Sequence, residues 1–338
     1  MKERDTLVAG VRAADRRLLA KAITLAESTR PDHQSLAREV MTELLPSTGK
    51  ALRMGITGSP GVGKSTLIEA LGLRLIEEGH RVAVLAVDPS SSITGGSVLG
   101  DKTRMNELSR NDRAFIRPSP ASGALGGVAA HTREAMLFVE AAGFDVVIIE
   151  TVGVGQSETD VANLTDVFVL MQLPNAGDDL QAIKKGVMEV ADLVAINKAD
   201  LDGAAATRAE AQITSALRVF GFHGRGDKTV ERWQTRVMRM SALSRDGIAA
   251  FWDHVEAFHR IGRANGDFGA RRRRQATAWL WDIVHAGLQG EFRAHPAVRE
   301  VLEATLADVA AAKVAAPAAA HALLDRFGAM RGPGSEKT

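Results

Sequence analysis

With 338 residues, 45% of them hydrophobic and 25% charged, the chain is long enough for one large domain with appendages or for two domains. A net charge of +1 gives no general argument for nucleic acid or an anionic membrane, and the absence of cysteine excludes disulfides, thiolate metal sites and cysteine nucleophiles. The charged start Met1-Lys-Glu-Arg-Asp5 and the lack of an apolar stretch near the ~20 residues of a membrane span make a cytoplasmic protein the expectation.

Residues 1–48 read as a helical arm, with apolar faces formed by Leu18, Leu19, Ile23 and Leu25 and then by Leu36, Val40, Leu44 and Leu45. Pro46-Ser-Thr-Gly49 breaks that pattern. Across 49–262, short β-branched runs alternate with helical stretches: Leu52–Thr57, Arg81–Val87, Phe144–Ile149, Val167–Met171, Leu193–Ile196 and Arg236–Met240. Near-continuous apolar runs of this length suit strands buried on both faces, hence an α/β domain with a mostly parallel sheet wrapped by helices. Beyond Arg271 only helical patterns remain. Residues 263–330 are expected to form a helical segment that wraps the core or, in the favoured reading, makes an oligomer interface, and 331–338 a disordered tail. The run Arg271–Arg274 reads as a solvated linker rather than a nucleic-acid patch.

Residues 58–66, Gly-Ser-Pro-Gly-Val-Gly-Lys-Ser-Thr, lie between an apolar strand-type run and the helical pattern Leu67–Ile76. Strand, glycine loop and helix is the context of a phosphate-binding loop. The backbone of Gly58, Ser59, Pro60, Gly61, Val62 and Gly63 can curl so that N–H groups converge on phosphate oxygens, and the helix N-terminus adds partial positive charge. Lys64 would reach the β- and γ-phosphates and the Ser65 hydroxyl would ligate Mg²⁺, with Thr66 closing the motif.

Asn197-Lys-Ala-Asp200 directly follows the strand-type run Leu193–Ile196. Asp200 can accept from both N1–H and the 2-amino group of guanine, a donor pair that adenine lacks, so the expected ligand is GTP and GDP rather than ATP. The Lys198 stem can cover base and ribose, while Asn197 ties this loop to the phosphate loop. Ser241-Ala-Leu243 resembles the further loop whose backbone reads the guanine 6-oxo group. Three acids are candidates for the metal side: Asp88, Asp101 and Glu150, of which Asp88 and Glu150 end strand-type runs. Strand-end acids fall on the rim where parallel sheets bind ligands, and Mg²⁺ takes oxygen donors. The alternatives are a turn residue before Pro89 for Asp88 and a helix cap for Asp101. In Glu150-Thr-Val-Gly153 the Gly153 N–H would face the γ-phosphate. Ras-like GTPases follow that glycine with a glutamine that orients the attacking water. Here Val154 stands there, with Gln156 nearest, so slow unaided hydrolysis accelerated by a partner is expected.

Asp88-Pro-Ser-Ser91, Gly95–Met105, Phe115–Pro120, Gly126–Ala129, Glu150–Glu158 and Asn197–Asp200 together resemble the methylmalonyl-CoA mutase-associated GTPases, the MeaB/ArgK group with its MMAA counterpart, over about residues 15–290. The resemblance implies a P-loop GTPase of the G3E type and SIMIBI class that is a homodimer through its C-terminal helices. It implies a chaperone of adenosylcobalamin-dependent acyl-CoA mutases, methylmalonyl-CoA mutase first, that gates cofactor delivery from a cobalamin adenosyltransferase and protects the mutase. It also places the acids matching Asp88, Asp101 and Glu150 around Mg²⁺, and makes Leu173–Lys185 a mobile loop coupling nucleotide state to the mutase. The alternatives are a nickel-type metallochaperone GTPase, weakened by the absence of cysteine and nine scattered histidines, and a kinase of periplasmic amino-acid-binding proteins. His254 and His259 read as ordinary helix residues.

Overall fold

The computed structural model describes residues 2–88, 105–120, 127–151, 161–175, 185–219 and 233–329. Its strands are β1 (Leu52–Gly58), β2 (Val82–Asp88), β3 (Ala114–Pro120), β4 (Val146–Thr151), β5 (Val167–Gln172), β6 (Leu193–Ile196) and β7 (Arg236–Arg239). The helices are α1 (Lys2–Arg12), α2 (Arg16–Ala26), α3 (Pro31–Leu44), α4 (Lys64–Glu77), α5 (Asn106–Arg110), α6 (Gly127–Ala141), α7 (Lys185–Val190), α8 (Gly203–Val219), α9 (Ile248–Ala264), α10 (Asp267–Ala294), α11 (Pro296–Ala310) and α12 (Ala316–Ala329).

The seven strands form one parallel sheet in the order β3-β2-β4-β1-β5-β6-β7. Successive strand residues feed opposite faces, as the pleat requires. Ala83, Leu85, Val147, Ile149, Phe168 and Leu170 join the core with α1–α3, α6 and α8. Met54, Ile56, Val84, Ile148, Val169 and Met171 join the core with α4 and α9. Both faces are therefore covered, which is why the inner strands read as near-continuous apolar runs instead of alternating ones. Gly55 is required by close approach: a Cβ there would lie 2.9 Å from Val161 Cγ1.

Local signals set the helix starts. The Asp15 carboxylate accepts from the N–H groups of Arg17 and Leu18 to cap α2, and Pro31 opens α3 with its φ already near the helical value. The arm packs into the sheet's own core, with Leu7, Val11, Leu19, Ile23, Val40 and Leu44 buried there. Strand β3 was not expected as a strand. It carries Pro118 and Pro120, which a strand tolerates at a sheet edge, and β3 is an edge. Arg117 of β3 pairs with Glu27 and so ties this edge to α2.

The four-arginine run also departs from expectation. Arg272 pairs with the fully buried Asp166 and donates to the carbonyls of Gly49 and Ala51, while Arg271 pairs with Asp192 at 2.8 Å. The carboxylates are shared with the strands themselves: the Asp166 carboxylate accepts Arg53 N–H and that of Asp192 accepts Phe168 N–H, each at 2.9 Å. Burial opposes both guanidinium charges, but Asp192 and Asp166 hold the two groups above their ordinary value. The root of α10 is thus bolted to the edge where β1, β5 and β6 begin.

Contacts divide the chain into two compact units, Met1–Ala276 and Thr277–Thr338. Within the second, Phe327 meets Phe292 and His295 in edge-to-face contacts with centroids 5.4 and 5.2 Å apart, and Val298 and Ala319 are buried.

Candidate functional site

Strand β1 runs straight into the glycine loop, and the backbone there needs conformations that side chains resist. Gly58, Gly61 and Gly63 have φ of +147°, +78° and +100°. A Cβ on Gly58 would fall 2.5 Å from the Met171 carbonyl oxygen, and one on Gly63 would fall 2.4 Å from Asn197 Nδ2. Ser59, Pro60 and Gly61 are exposed, whereas Val62 is buried beneath them. Gly63 precedes the first residue of α4, so the orphan N–H groups of that helix face the loop. Buried Lys64 donates from Nζ to the carbonyls of Gly58 at 2.7 Å and Ser59 at 3.3 Å, which holds its charge inside the loop.

Of the candidate metal ligands, Ser65 Oγ–H donates to Glu150 Oε1 at 3.0 Å, bringing a hydroxyl and a buried carboxylate together. Register explains the meeting: Glu150 of β4 stands beside Ile56 of β1, two residues before the loop opens, and beside Ala86 of β2. Asp88 is the last residue of β2, on the same rim. Its side chain, Asp101, Gly153, Val154 and Gln156 lie outside the described residues. Thr66 is exposed on α4.

Asn197 joins three loops. Its Nδ2–H donates to the Val62 carbonyl at 2.7 Å, and its Oδ1 accepts the Ala242 N–H at 2.8 Å. Its own N–H bonds Gln172 O, and Ala199 N–H bonds Met240 O, so the ends of β5, β6 and β7 are stitched together behind it. Lys198 sits at φ +60°, a conformation rare for side-chain-bearing residues, which turns the chain between Asn197 and exposed Asp200. Ser241 is buried, with its N–H on Asp246 O and its Oγ accepting the Ser244 N–H, leaving Leu243 projecting at 81% exposure. Phosphate loop, Asn-Lys-Ala-Asp loop and Ser-Ala-Leu loop therefore occupy one rim, at the C-terminal ends of the strands. Sequence reasoning missed Thr57 and Thr151, whose buried hydroxyls bond each other at 2.9 Å just beneath that rim. Each adjoins a motif residue, Gly58 and Glu150, and that adjacency was the available signal.

A family profile described as "Methylmalonyl Co-A mutase-associated GTPase MeaB" matches residues 19–297. The chain belongs to this family. Among relatives, a probable GTPase of Mycobacterium tuberculosis is 50% identical over 322 residues, covering 95% of this chain and 94% of its own. The GTPase ArgK of Escherichia coli is 50% identical over 271 residues, 80% of each chain. The mitochondrial methylmalonic aciduria type A homolog of Mus musculus is 43% identical over 334 residues, covering 96% of this chain and 79% of its own. A crystal structure described as an LAO/AO transport system kinase superposes with a TM-score of 0.75 at 36% identity, over 97% of this chain and 98% of that one. As a member of the MeaB family the chain is a P-loop GTPase: it binds guanine nucleotide and hydrolyses GTP. No helix among the described residues is long and apolar enough to cross a membrane.

Proposed function

We propose that this GTPase is a chaperone of an adenosylcobalamin-dependent acyl-CoA mutase, methylmalonyl-CoA mutase first, which it binds in order to gate cofactor loading and protect or reactivate the enzyme. The observation that carries the reading is the family match across residues 19–297, which takes in the nucleotide motifs and the root of the C-terminal helices. A cobalamin adenosyltransferase is the second partner in this scheme, and the cytoplasm its setting. Hydrolysis is slow alone and faster on the mutase, because Val154 stands where a water-orienting glutamine would.

In this reading Lys64 and the loop from Gly58 to Thr66 hold the phosphates, Asn197, Lys198 and Asp200 hold guanine, and Ser241–Leu243 lies against its 6-oxo edge. The Ser65 hydroxyl beside the Glu150 carboxylate is a hard oxygen pair of the kind Mg²⁺ takes. Ser65, Asp88, Asp101 and Glu150 would hold the ion, and Gly153 N–H would report the γ-phosphate. When bound, the metal neutralises charge on the β- and γ-phosphate oxygens. The homodimer reading is supported by Leu280, Trp281, Ile283 and Leu288, all about half exposed or more on the second unit.

The test is GTP turnover by the full chain with and without the purified mutase, beside Lys64→Ala and Asp200→Asn. We expect stimulation by the mutase and co-elution with it. Lys64→Ala should lose turnover about 10²–10³-fold, the scale of removing one transition-state donor, and Asp200→Asn should lose the preference for GTP over ATP. Absence of both stimulation and co-elution would overturn the mutase role while leaving the GTPase intact.

A further inference from the structure

The hydroxyl and carboxylate that meet at the rim come from two strands that separate there. Among the described residues the β1–β4 pairing runs from Leu52↔Val146 to Ile56↔Glu150. Beyond it the strands turn to other neighbours. Thr57 and Gly58 of β1 pair with Leu170 and Met171 of β5, while Thr151 of β4 pairs with Val87 of β2. Ser65 follows β1 through the phosphate loop, and Glu150 belongs to β4. Their contact at 3.0 Å therefore spans a split between two halves of one sheet.

A second side-chain bond spans the same split. Thr151 Oγ–H donates to Thr57 Oγ at 2.9 Å, and both residues are fully buried. The bond extends the β1–β4 pairing one position past the last pair of the ladder. Side chains alternate along a strand, so Thr151 and Glu150 point to opposite faces of β4. The face of Glu150 is that of Ile148 and Ile56, in the core shared with α4, the helix that carries Ser65. The face of Thr151 is that of Ile149 and Leu170, in the other core. The threonines thus stand behind the strands from the candidate ligands, not among them.

Packing alone does not call for hydroxyls at these two positions. Valine has nearly the same shape, suits a strand equally well, and brings no polar atom to desolvate. Replacing both partners of a buried hydrogen bond by apolar groups of like shape is close to neutral for stability. What two valines lack is direction. Methyl contacts are individually weak and non-directional, whereas a hydroxyl bond sets a distance and an angle. Direction matters one residue away, where a carboxylate must face a hydroxyl carried by the other half of the sheet.

We propose that Thr57 and Thr151 are positioning residues for the metal site: their bond locks the end of β4 to the end of β1 and so sets Glu150 against Ser65. The inference rests on the reading of Ser65 and Glu150 as Mg²⁺ ligands. Mg²⁺ demands near-ideal octahedral geometry, so a displaced ligand weakens the site even when every ligand is present.

The test measures the affinity of the full chain for a fluorescent GDP analogue across a Mg²⁺ titration, beside the affinity in EDTA and the Tm. Thr151→Val should raise the Mg²⁺ midpoint about tenfold, the low end of the cost of losing an orienting partner. Its affinity in EDTA should stay within twofold of wild type, and its Tm should fall by about 2–4 °C because the Thr57 oxygen loses its donor. Thr151→Ser keeps the hydroxyl and should hold the Mg²⁺ midpoint within twofold. Thr57→Val/Thr151→Val is the deciding variant. It should recover the Tm while keeping the raised midpoint, because packing is restored and direction is not. Recovery of both together, or an affinity in EDTA that falls as far as that in Mg²⁺, makes the pair merely structural and overturns the proposal. Glu150→Gln separates this outcome from a failure of the underlying reading. A midpoint raised by Glu150→Gln but not by Thr151→Val overturns the role of the pair alone. A wild-type affinity indifferent to Mg²⁺, or a midpoint that Glu150→Gln leaves unmoved, overturns the metal reading and the pair's role with it.

Discussion

The two rims of the sheet are built from different materials. At the strand ends, main chain dominates: glycines at positive φ, carbonyls holding Lys64, and one side-chain amide, Asn197, tying loop to loop. At the strand starts, side chains dominate: Arg271 and Arg272 on Asp192 and Asp166, and Arg53 on Glu140. Main-chain loops can re-form around a ligand whose shape changes by one phosphate. Buried ion pairs cannot yield without exposing a charge, so that rim is a fixed frame. The lesson is that one sheet keeps its adaptable chemistry and its rigid anchoring on opposite edges.

The sharpest way to break this contrast is at the frame. Asp166→Ala leaves Arg272 without its buried carboxylate and Arg53 N–H without an acceptor, which should cost about 3–5 kcal/mol of unfolding free energy. Urea denaturation reads that loss, and the nucleotide affinity of the folded fraction should stay within twofold. A comparable loss of affinity would mean the two rims are not separate. At the other rim, Asn197→Ala orphans the Val62 carbonyl and the Ala242 N–H, at about 1–3 kcal/mol each. Here nucleotide affinity, followed with a fluorescent GDP analogue, should fall about tenfold or more. Gly63→Ala, whose Cβ lands on the same amide, should give a similar defect, and the double variant should be less than additive.

The smallest effect is in pH. The His259 ring has a pKa below its unfolded value, ~6.5, chiefly through burial. As pH falls below that unfolded value, the unfolded chain takes up a proton that the folded ring refuses, so stability falls until the lower folded value is passed. Thermal denaturation from about pH 8 to 5 should show this fall. His259→Gln should flatten its share of it, and a slope unchanged by the substitution would assign the effect elsewhere.

Much of this is legible in the sequence alone. The phosphate loop is a local code, since its glycine spacing, lysine and hydroxyl are contiguous. The inner strands read clearly because burial on both faces leaves them largely apolar. What escaped reading depended on distant partners. Arg271 and Arg272 look like a solvated run until Asp166 and Asp192, far back in the chain, are seen at the starts of neighbouring strands. Strand β3 was hidden by prolines that an edge permits.

That proline-bearing edge has a further consequence, because the sheet ends at β3 on one side and at β7 on the other. Pro118 and Pro120 remove two donors from the first edge. The second is only four residues long and carries exposed Arg236 and Arg239. Neither margin offers a long, donor-rich template for an incoming strand. Fibrillar growth by strand addition is thereby discouraged at both ends.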